Sequence, residues 1–331
     1  MRMGVVDIGS NTARLVIADT EVGAPLPVHT RKWRLRLAQQ AGADGRLGPQ
    51  AVERLSEAVT AAREASEEWG AGVPFVFATA VVRDAPNRGE VLRAVHERTG
   101  LAVRTLPGAV EAELTFLAAR RWTGWQAGPM VVLDIGGGSF EVAFGRGRLP
   151  DFAVSLPLGA GRLTREHLDG EDPPGAAALK ELRRHVRHQL RDVAARIRWE
   201  APRTAVATSR TFQQLARLCG AAPGREGPFV PRPLVRRDLR HALRGLAQLP
   251  AAERARLPGI SSARARQALA GALVAHTAMK LTGTDEAIVC PWAIREGILL
   301  RHLEGDTGWW PESAPDTARA VPTVVRPLHR T

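Results

Sequence analysis

The chain has 331 residues, of which 44% are hydrophobic and 24% are charged, which is ordinary for a globular protein and enough for two domains with hydrophobic cores. The two cysteines, Cys219 and Cys290, are too few for a disulfide framework or a thiolate metal cage and favour a reducing cytoplasm. A formal charge of +12, carried almost entirely by arginine, predicts attraction to a polyanion but also fits a bias in composition.

The N-terminal segment predicts a strand, a tight turn and a second strand. Its apolar run is interrupted by Asp7, so no signal peptide is expected, and no run approaches the roughly 18 apolar residues of a membrane span. The turn Gly9 to Thr12 leads into an apolar and β-branched stretch that ends at Asp19. We therefore expect a cytoplasmic protein that starts with a hairpin and has no membrane partner.

The rest of the first half alternates helical and strand patterns. Apolar residues in Pro49 to Trp69 are spaced for one buried helical face, and Val73 to Thr79 has the length and composition of a buried strand. Helices are also predicted over Gly89 to Thr99 and Ala109 to Trp122, with a short strand at Val103 to Leu106 between them. Such alternation is typical of α/β domains.

A second α/β domain is predicted to begin after the glycine-bounded segment Gly124 to Gly128. Its predicted strands cover Val131 to Ile135, Phe140 to Phe144, Phe152 to Leu158 and Ala205 to Thr208. Its predicted helices include Ala176 to Trp199, Arg264 to Leu281 and Ala293 to Leu303. We assign residues 1–123 to the first domain, 124–305 to the second, and 306–331 to a proline-rich tail of extended or disordered character.

Two segments of the chain are versions of one another. Each places a carboxylate at the end of a strand before a tight turn: Gly4-Val-Val-Asp7-Ile-Gly-Ser-Asn-Thr12 and Val131-Val-Leu-Asp134-Ile-Gly-Gly-Gly-Ser139. A strand follows each turn, which argues against a dinucleotide-binding fingerprint, and no Walker loop occurs. The repeat predicts two similar half-domains that face each other and hold one phosphate-bearing ligand.

Both turns have the composition of phosphate-binding loops. Glycines let successive N–H groups point at an anion, and the hydroxyl groups of Ser10, Thr12 and Ser139 can add donors. Asp7 and Asp134 would repel the phosphate unless a cation lay between them, so the sequence predicts Mg²⁺, with Mn²⁺ as an alternative. One Asp-Ile-Gly turn is usually only a strand end, but two matched copies favour the phosphate site.

These motifs resemble the exopolyphosphatase and guanosine pentaphosphate phosphohydrolase (Ppx/GppA) family over Met3 to about Leu303. The resemblance includes Ala78-Thr-Ala-Val-Val-Arg-Asp-Ala-Pro-Asn87 and Pro107-Gly-Ala-Val-Glu-Ala-Glu-Leu-Thr-Phe116. The later segments Thr208-Ser-Arg-Thr-Phe212 and Cys290-Pro-Trp-Ala-Ile-Arg-Glu-Gly297 are similar to those of short actinobacterial-type members. The resemblance implies an α/β fold of two actin-like domains with an interdomain cleft, and a homodimer.

The resemblance also implies roles for individual residues. Glu111 matches the catalytic glutamate that orients or deprotonates the attacking water, and Arg83 matches an arginine that reaches the phosphate end. The acids implied at the metal are Asp7, Asp134 and Glu141. The implied phosphate-binding residues form the two turns: Ser10, Asn11, Thr12, Gly136, Gly137, Gly138 and Ser139.

Each implied role has a simpler structural alternative. Glu111 could complement the positive end of its helix, and Glu113 points to another side of that helix and is expected to be solvated. Arg83 could form a loop salt bridge with Asp84. Glu141 could be the outward residue of an alternating strand.

The chain departs from the family pattern at two positions. Ala80 stands where a serine is usual, and Val110 stands where one acid of a Glu-Glu pair is usual, which puts the rate and the metal affinity in question. The arginine runs Arg31 to Arg36 and Arg183 to His188 could guide a polyanion, although for the second run a solvated helix face is the simpler interpretation.

The combined features predict an exopolyphosphatase that releases terminal phosphate from inorganic polyphosphate. Short chains are the expected preference, because the chain stops before the C-terminal helical domain of longer members. A guanosine pentaphosphate phosphohydrolase, or a weakly active or non-catalytic sensor that binds polyphosphate or guanosine tetra- or pentaphosphate, remains open. A nucleic-acid partner is a weaker alternative, since no recognised module or aromatic stacking pattern accompanies the charge.

Overall fold

The computed structural model describes residues 2–20, 25–42 and 44–305, so the predicted tail from residue 306 lies outside the described residues. The strands are β1 (Arg2–Ile8), β2 (Thr12–Asp19), β3 (Leu26–Arg34), β4 (Phe75–Ala78), β5 (Arg104–Thr105), β6 (Met130–Ile135), β7 (Phe140–Gly145), β8 (Phe152–Leu156), β9 (Thr204–Thr208), β10 (Pro233–Val235) and β11 (Glu286–Val289). The helices are α1 (Leu37–Gln40), α2 (Pro49–Glu68), α3 (Ala80–Arg83), α4 (Arg88–Thr99), α5 (Gly108–Thr123), α6 (Ala160–His167), α7 (Ala176–Glu200), α8 (Ser209–Leu218), α9 (Arg236–Gln248), α10 (Ala251–Arg254), α11 (Ala265–Thr282) and α12 (Ile294–Leu303).

The chain divides into two compact units, Met1–Val110 with Ile294–Thr331 and Glu111–Ala293. The first unit contains a sheet of strand order β3-β2-β1-β4-β5, and the second contains a sheet of order β10-β11-β9-β6-β7-β8. The contacts therefore group α12 with the N-terminal sheet, whereas the sequence analysis assigned it to the second domain.

The two sheets repeat one arrangement. In the first, β1 pairs antiparallel with β2 and parallel with β4. In the second, β6 pairs antiparallel with β7 and parallel with β9. The outer neighbours match as well, since β2 with β3 and β7 with β8 are both antiparallel. The duplication found in the hairpins thus extends to four strands of each sheet.

Continuous apolar runs form the central strands, as expected where helices cover both faces of a sheet. Every residue of β7 is buried, and β6 is buried except at Asp134. The edge strand β3 is largely exposed and carries charge, which protects an unpaired edge from association with another chain. Its arginine run does not continue as a strand, because Arg36 has a left-handed backbone with φ of 55°.

Each unit has its own hydrophobic core. In the first, α2 packs the face that carries Val52, Leu55 and Val59 against apolar residues of β1 and β2. In the second, the interior of α11 and the stripe Leu182, Val186 of α7 pack with β6 and β7. Within the described residues, no helix combines the length and apolarity needed to cross a membrane.

Candidate active site

The first hairpin, in the first unit, ends its strand β1 with a partly exposed carboxylate. Asp7 lies opposite Arg14 and Ile8 lies opposite Ala13. The N–H of Gly9 donates to the carbonyl of Thr12 over 2.9 Å and closes the turn. The carbonyl of Asn11 accepts the N–H groups of Leu35 and Arg36, at 2.9 and 3.1 Å, so the turn is anchored by the segment that follows β3.

The second hairpin, in the second unit, repeats this turn. Asp134 lies opposite Glu141, as Asp7 lies opposite Arg14. The N–H of Gly136 donates to the carbonyl of Ser139 over 2.9 Å, which is the bond from Gly9 to Thr12 in the first copy. The two matched segments of the sequence therefore have the same register and the same closing hydrogen bond.

Helix α6 fixes the orientation of the glycine loop in the second hairpin. The N–H groups of Ala160 and Arg162 donate to the carbonyls of Gly136 and Gly137, at 3.0 and 2.9 Å. A trans peptide places its carbonyl and its N–H on opposite sides, so the N–H groups of Gly137 and Gly138 point away from α6. Two adjacent N–H groups with one common direction form the kind of concave donor array that binds an anion.

The loop and α6 approach each other so closely that only glycine fits at residue 159. A Cβ there would lie 2.2 Å from the carbonyl carbon of Gly138 and 2.4 Å from the nitrogen of Ser139. Both of these are backbone atoms, so neither can give way by changing a rotamer. Gly159 is therefore a structural requirement of the glycine loop, and the sequence analysis did not select it.

Two carboxylates stand side by side behind the glycine loop. Asp134 and Glu141 are directly opposed on neighbouring antiparallel strands, so their side chains leave the same face of the sheet. Glu141 is only 6% exposed, and its Oε1 accepts a hydrogen bond from the Ser155 hydroxyl over 2.7 Å. The alternative in which Glu141 points outward from an alternating strand is therefore wrong.

A cationic side chain just before α11 lies close enough to interact with Asp134. Burial lowers the pKa of Arg264, the nearby charge of Arg210 lowers it further, and the carboxylate of Asp134 opposes both effects. Arg264 is the residue that caps the N-terminal end of α11. This residue was not predicted from the sequence, because an arginine before an apolar helix is unremarkable in an arginine-rich chain.

Each aspartate strand lies beside a parallel strand that leads directly into a helix. Ile8 pairs with Ala78 before α3, and Asp134 pairs with Thr208 before α8. Thr208 donates its hydroxyl to the carbonyl of Trp292 over 2.8 Å. Ser209, the next residue, has φ of 86°, which is rare outside glycine and marks local backbone strain at this end of the sheet.

Arg83 is the last residue of α3, and its contacts in the first unit include Asp84 and Leu106. Its Nε lies 3.1 Å from Oδ1 of Asp84, and its Nη1 donates to the carbonyl of Leu106 over 3.3 Å. The salt bridge proposed as the simpler alternative is therefore present. The role of Arg83 at a phosphate remains a prediction.

Glu111 is buried in the first turn of α5, with 6% of its surface exposed. This position is also favourable for a carboxylate because of the positive helix end, so the structural alternative is satisfied at the same time. Glu113, two residues further, is half-buried rather than solvated. Val110, which replaces one acid of the family pattern, is half-buried too.

Asp7 carries a charge that the fold disfavours. Burial raises its pKa, while Arg295 and Arg14 lower it and Glu296 raises it. Arg295 lies at the start of α12, with its Nε 3.9 Å from Oδ2 of Asp7. Arg295 belongs to a segment that resembles the family, but no role was predicted for it from the sequence.

The chain is similar to known proteins in both sequence and structure. The sequence pattern of the Ppx/GppA phosphatase family matches residues 16–305. An uncharacterised protein of Streptomyces coelicolor is 64% identical over 99% of this chain and 98% of its own length. Exopolyphosphatase 1 of Mycobacterium tuberculosis is 42% identical over 92% of this chain and 89% of its own length.

Solved structures give the same relationship. A member of the Ppx/GppA family from Aquifex aeolicus has a TM-score of 0.78 at 26% identity, covering 92% of this chain and 98% of that one. An exopolyphosphatase from Cytophaga hutchinsonii has a TM-score of 0.83 at 22% identity, covering 92% of this chain and 98% of that one. At this identity, the similarity shows a shared fold only. The predicted α/β fold of two actin-like domains is confirmed.

Proposed function

The chain belongs to the Ppx/GppA phosphatase family, a family of hydrolases, and from this premise we propose that it is an exopolyphosphatase that removes terminal phosphate from inorganic polyphosphate. The observation that carries the proposal is the glycine loop of the second hairpin, with the N–H groups of Gly137 and Gly138 turned away from α6. Linked phosphoryl groups are the anions that such a loop binds best. The relatives named as exopolyphosphatases favour polyphosphate as the substrate.

Glu111 is the proposed base. It accepts a proton from water, the water oxygen bonds to the terminal phosphorus, and the bond from that phosphorus to the bridging oxygen breaks. Orthophosphate leaves, and the remaining chain is shorter by one phosphoryl group. Phosphoryl transfer depends mainly on alignment and on neutralisation of charge, which fits a site rich in backbone N–H groups and arginines.

The charge on the phosphoryl oxygens is the proposed target of Arg83 and Arg264. Arg264 is the stronger inference, because it is half-buried and interacts electrostatically with Asp134, next to the glycine loop. Arg83 needs to leave Asp84 or share its guanidinium between Asp84 and the substrate. The turn residues Ser10, Asn11 and Thr12 and the loop residues from Gly136 to Ser139 are proposed to bind phosphate through backbone and hydroxyl donors.

The carboxylates fit a magnesium ion. In the part of the chain that the structure describes, no three His, Cys, Asp or Glu side chains form an all-protein metal cage. Mg²⁺ usually binds through one or two carboxylates and fills its other positions with phosphate oxygens and water. We propose that Asp134 and Glu141 hold it in the second unit, and Asp7 is the corresponding carboxylate in the first. When bound, the ion would neutralise charge on the phosphoryl oxygens.

Release of orthophosphate from a substrate panel tests the function. Long polyphosphate, tripolyphosphate and guanosine pentaphosphate are compared with Mg²⁺ present, and polyphosphate is expected to give the highest kcat/KM. A highest value for guanosine pentaphosphate would replace the proposal with the second activity of the family. Binding without any release would make the protein a sensor, as the Ala80 and Val110 departures allow.

A matched pair of variants tests the catalytic role. Glu111→Gln keeps the size of the side chain but removes the base, and it is expected to lower kcat by about 10²- to 10⁴-fold while substrate still binds. Glu113→Gln, on the same helix, is expected to retain most of the activity. Equal losses in the two variants would contradict the assignment. The implied homodimer stays a prediction, which light scattering of the purified chain tests.

A further inference from the structure

A second cationic pocket lies in the second unit, at the start of α9. It has a volume of about 460 Å³ and is lined by Val235, Arg236, Arg237, Arg240, His276 and Asp285. None of these residues belongs to the glycine loop or to the proposed metal ligands. At 1.5 Å of rise per helical residue, the path along α11 from Arg264 to His276 spans about 18 Å, so the pocket is separate from the carboxylate pair.

The arginines of this pocket are placed against the electrostatics of their own helix. Arg236, Arg237 and Arg240 occupy the first turns of α9, where the helix dipole favours negative charge and disfavours cations. The residue that precedes the helix is Val235, whose side chain has no acceptor for N–H groups of the first turn. The N–H of Arg236 donates instead to the carbonyl of Asp285 over 2.8 Å. A bound anion would satisfy both the helix end and the arginines.

The pocket and its surroundings carry more cationic than anionic side chains. Asp285 pairs with Arg236, and Asp238 lies 3.4 Å from Nε of Arg237. Glu286, the next residue on β11, is exposed. Within the described residues, Arg240 forms no ion pair with Asp285, Asp238 or Glu286. Two further cations, Arg183 of α7 and Lys280 of α11, are near enough to act on His276.

The pKa of His276 is sensitive to the positive charges around the pocket. It is half-buried on α11, and burial lowers its pKa. Arg236, Lys280, Arg183 and Arg240 lower the pKa further through their charge. The ring is therefore disfavoured as a cation while the pocket holds no anion, and an anion placed among the arginines would reverse that effect.

We propose that this pocket is a binding site for an oligophosphate anion. Several arginines arranged around one concave space match a ligand with several negatively charged oxygen groups, since guanidinium groups bind phosphoryl oxygens in pairs. A nucleic-acid strand fits less well, because the lining contains no Phe or Trp ring on which a base could stack. The bound anion is either a remote segment of a polyphosphate substrate or a separate oligophosphate effector, which share the same chemistry.

Binding is tested by NMR titration of the His276 ring in the full chain, with His276→Gln to identify its signals. Tripolyphosphate is expected to raise the pKa of His276, and Arg237→Gln/Arg240→Gln is expected to weaken this binding at least tenfold, with the affinity read from the His276 signal. The control Arg187→Gln/Arg191→Gln removes the same charge from exposed positions on α7. It is expected to leave the affinity unchanged. Thermal melts check that both variants fold.

Kinetics separates the two sources of the anion. If the pocket holds a remote part of the substrate, Arg237→Gln/Arg240→Gln raises KM for long polyphosphate but not for tripolyphosphate. If it holds an effector, KM for both is unchanged and the His276 response to tripolyphosphate is still lost. An unmoved His276 signal, or equal weakening by the control variant, overturns the proposal. This readout does not require hydrolysis, so the site and the proposed enzyme activity can fail independently.

Discussion

Arg295 of α12 places its Nε 3.9 Å from Oδ2 of Asp7, so the C-terminal helix of the first unit reaches the first hairpin. The Nε and Nη1 atoms of Arg295 are buried and, within the described residues, have no hydrogen-bond partner. The next residue, Glu296, is 4% exposed and acts on the same aspartate. Two opposing effects therefore act on the charge of Asp7: the positive charge of Arg295 stabilises it, and burial destabilises it.

Neutralising Asp7 is expected to stabilise the metal-free protein. Because the folded-state pKa is raised above the ordinary value of 3.8, the folded chain binds this proton more tightly than the unfolded chain. The stabilisation of the fold by this proton is complete below pH 3.8, the ordinary pKa, and is lost as the pH rises through the folded-state pKa. Asp7→Asn is therefore expected to unfold at a higher temperature than the wild type at pH 7, with little difference near pH 3.

Thermal melts in EDTA across this pH range measure the effect. Arg295→Gln is the companion variant, and the double variant closes the cycle. In Arg295→Gln the charge of Asp7 loses its support, so the gain from Asp7→Asn is expected to increase. A lower melting temperature for Asp7→Asn at pH 7 would contradict this prediction. It would mean that the attraction between Arg295 and the charged Asp7 stabilises the fold by more than the burial of that charge costs.

Gly159 gives a second prediction, on the stability of the glycine loop. Gly159→Ala forces a Cβ to within 2.2 Å of the Gly138 carbonyl carbon. Overpacking of this kind costs about 1–3 kcal/mol, and here it also displaces the loop that is proposed to bind phosphate. We expect a loss of stability in denaturant titrations together with a raised KM.

Gly245→Ala is the control for that substitution. Gly245 lies inside α9, where an added Cβ would meet nothing within 4 Å. Alanine is the better helix former there, so a gain of about 0.5–1 kcal/mol is expected. Equal destabilisation by both substitutions would remove the argument that the contact of Gly159 with the loop is the cause.

The parts of the fold that could be predicted are those with a local signal. The apolar runs of β1, β6 and β7 and the one-sided spacing in α2 identify themselves, because burial imposes a period on the sequence. The four-residue helices α1 and α3 and the short strand β11 were missed. Elements of that length are stabilised by tertiary contacts rather than by a pattern of their own.

The site divides in the same way. The aspartates and glycines were predicted because they recur in two copies, and the structure gives both copies the same closing hydrogen bond. Arg264 and Arg295 could not be predicted, because their positions at Asp134 and Asp7 depend on contacts between elements far apart in the chain. The grouping of α12 with the first unit is such a contact too.

Arg264 is expected to contribute to substrate affinity. Arg264→Gln removes a half-buried positive charge that interacts with Asp134, and a hydrogen bond to a charged group contributes about 1.5–3 kcal/mol. The expected result is a rise of KM by about tenfold or more, measured by orthophosphate release. Arg266→Gln is the control, since Arg266 is exposed and pairs with Asp169. A similar rise in both variants would indicate general attraction of the polyanion rather than a contact at the site.

Mg²⁺ is expected to stabilise the wild type through Asp134 and Glu141. Like charges directly opposite on neighbouring strands destabilise a sheet by a few tenths to about 1 kcal/mol, and a cation between them reverses the sign. Glu141→Gln keeps an acceptor for the Ser155 hydroxyl while removing one charge, so its melting temperature in EDTA is expected to equal or exceed that of the wild type.

The response to the ion then distinguishes the two proteins. At 100 times its Kd, a ligand that binds only the folded state adds about 2.7 kcal/mol, so Mg²⁺ titration is expected to raise the melting temperature of the wild type and to move Glu141→Gln much less. Glu166→Gln removes an exposed carboxylate of the same unit, and its response is expected to match the wild type. Because melting does not depend on turnover, an equal Mg²⁺ response in Glu141→Gln would place the ion elsewhere whatever the enzyme activity.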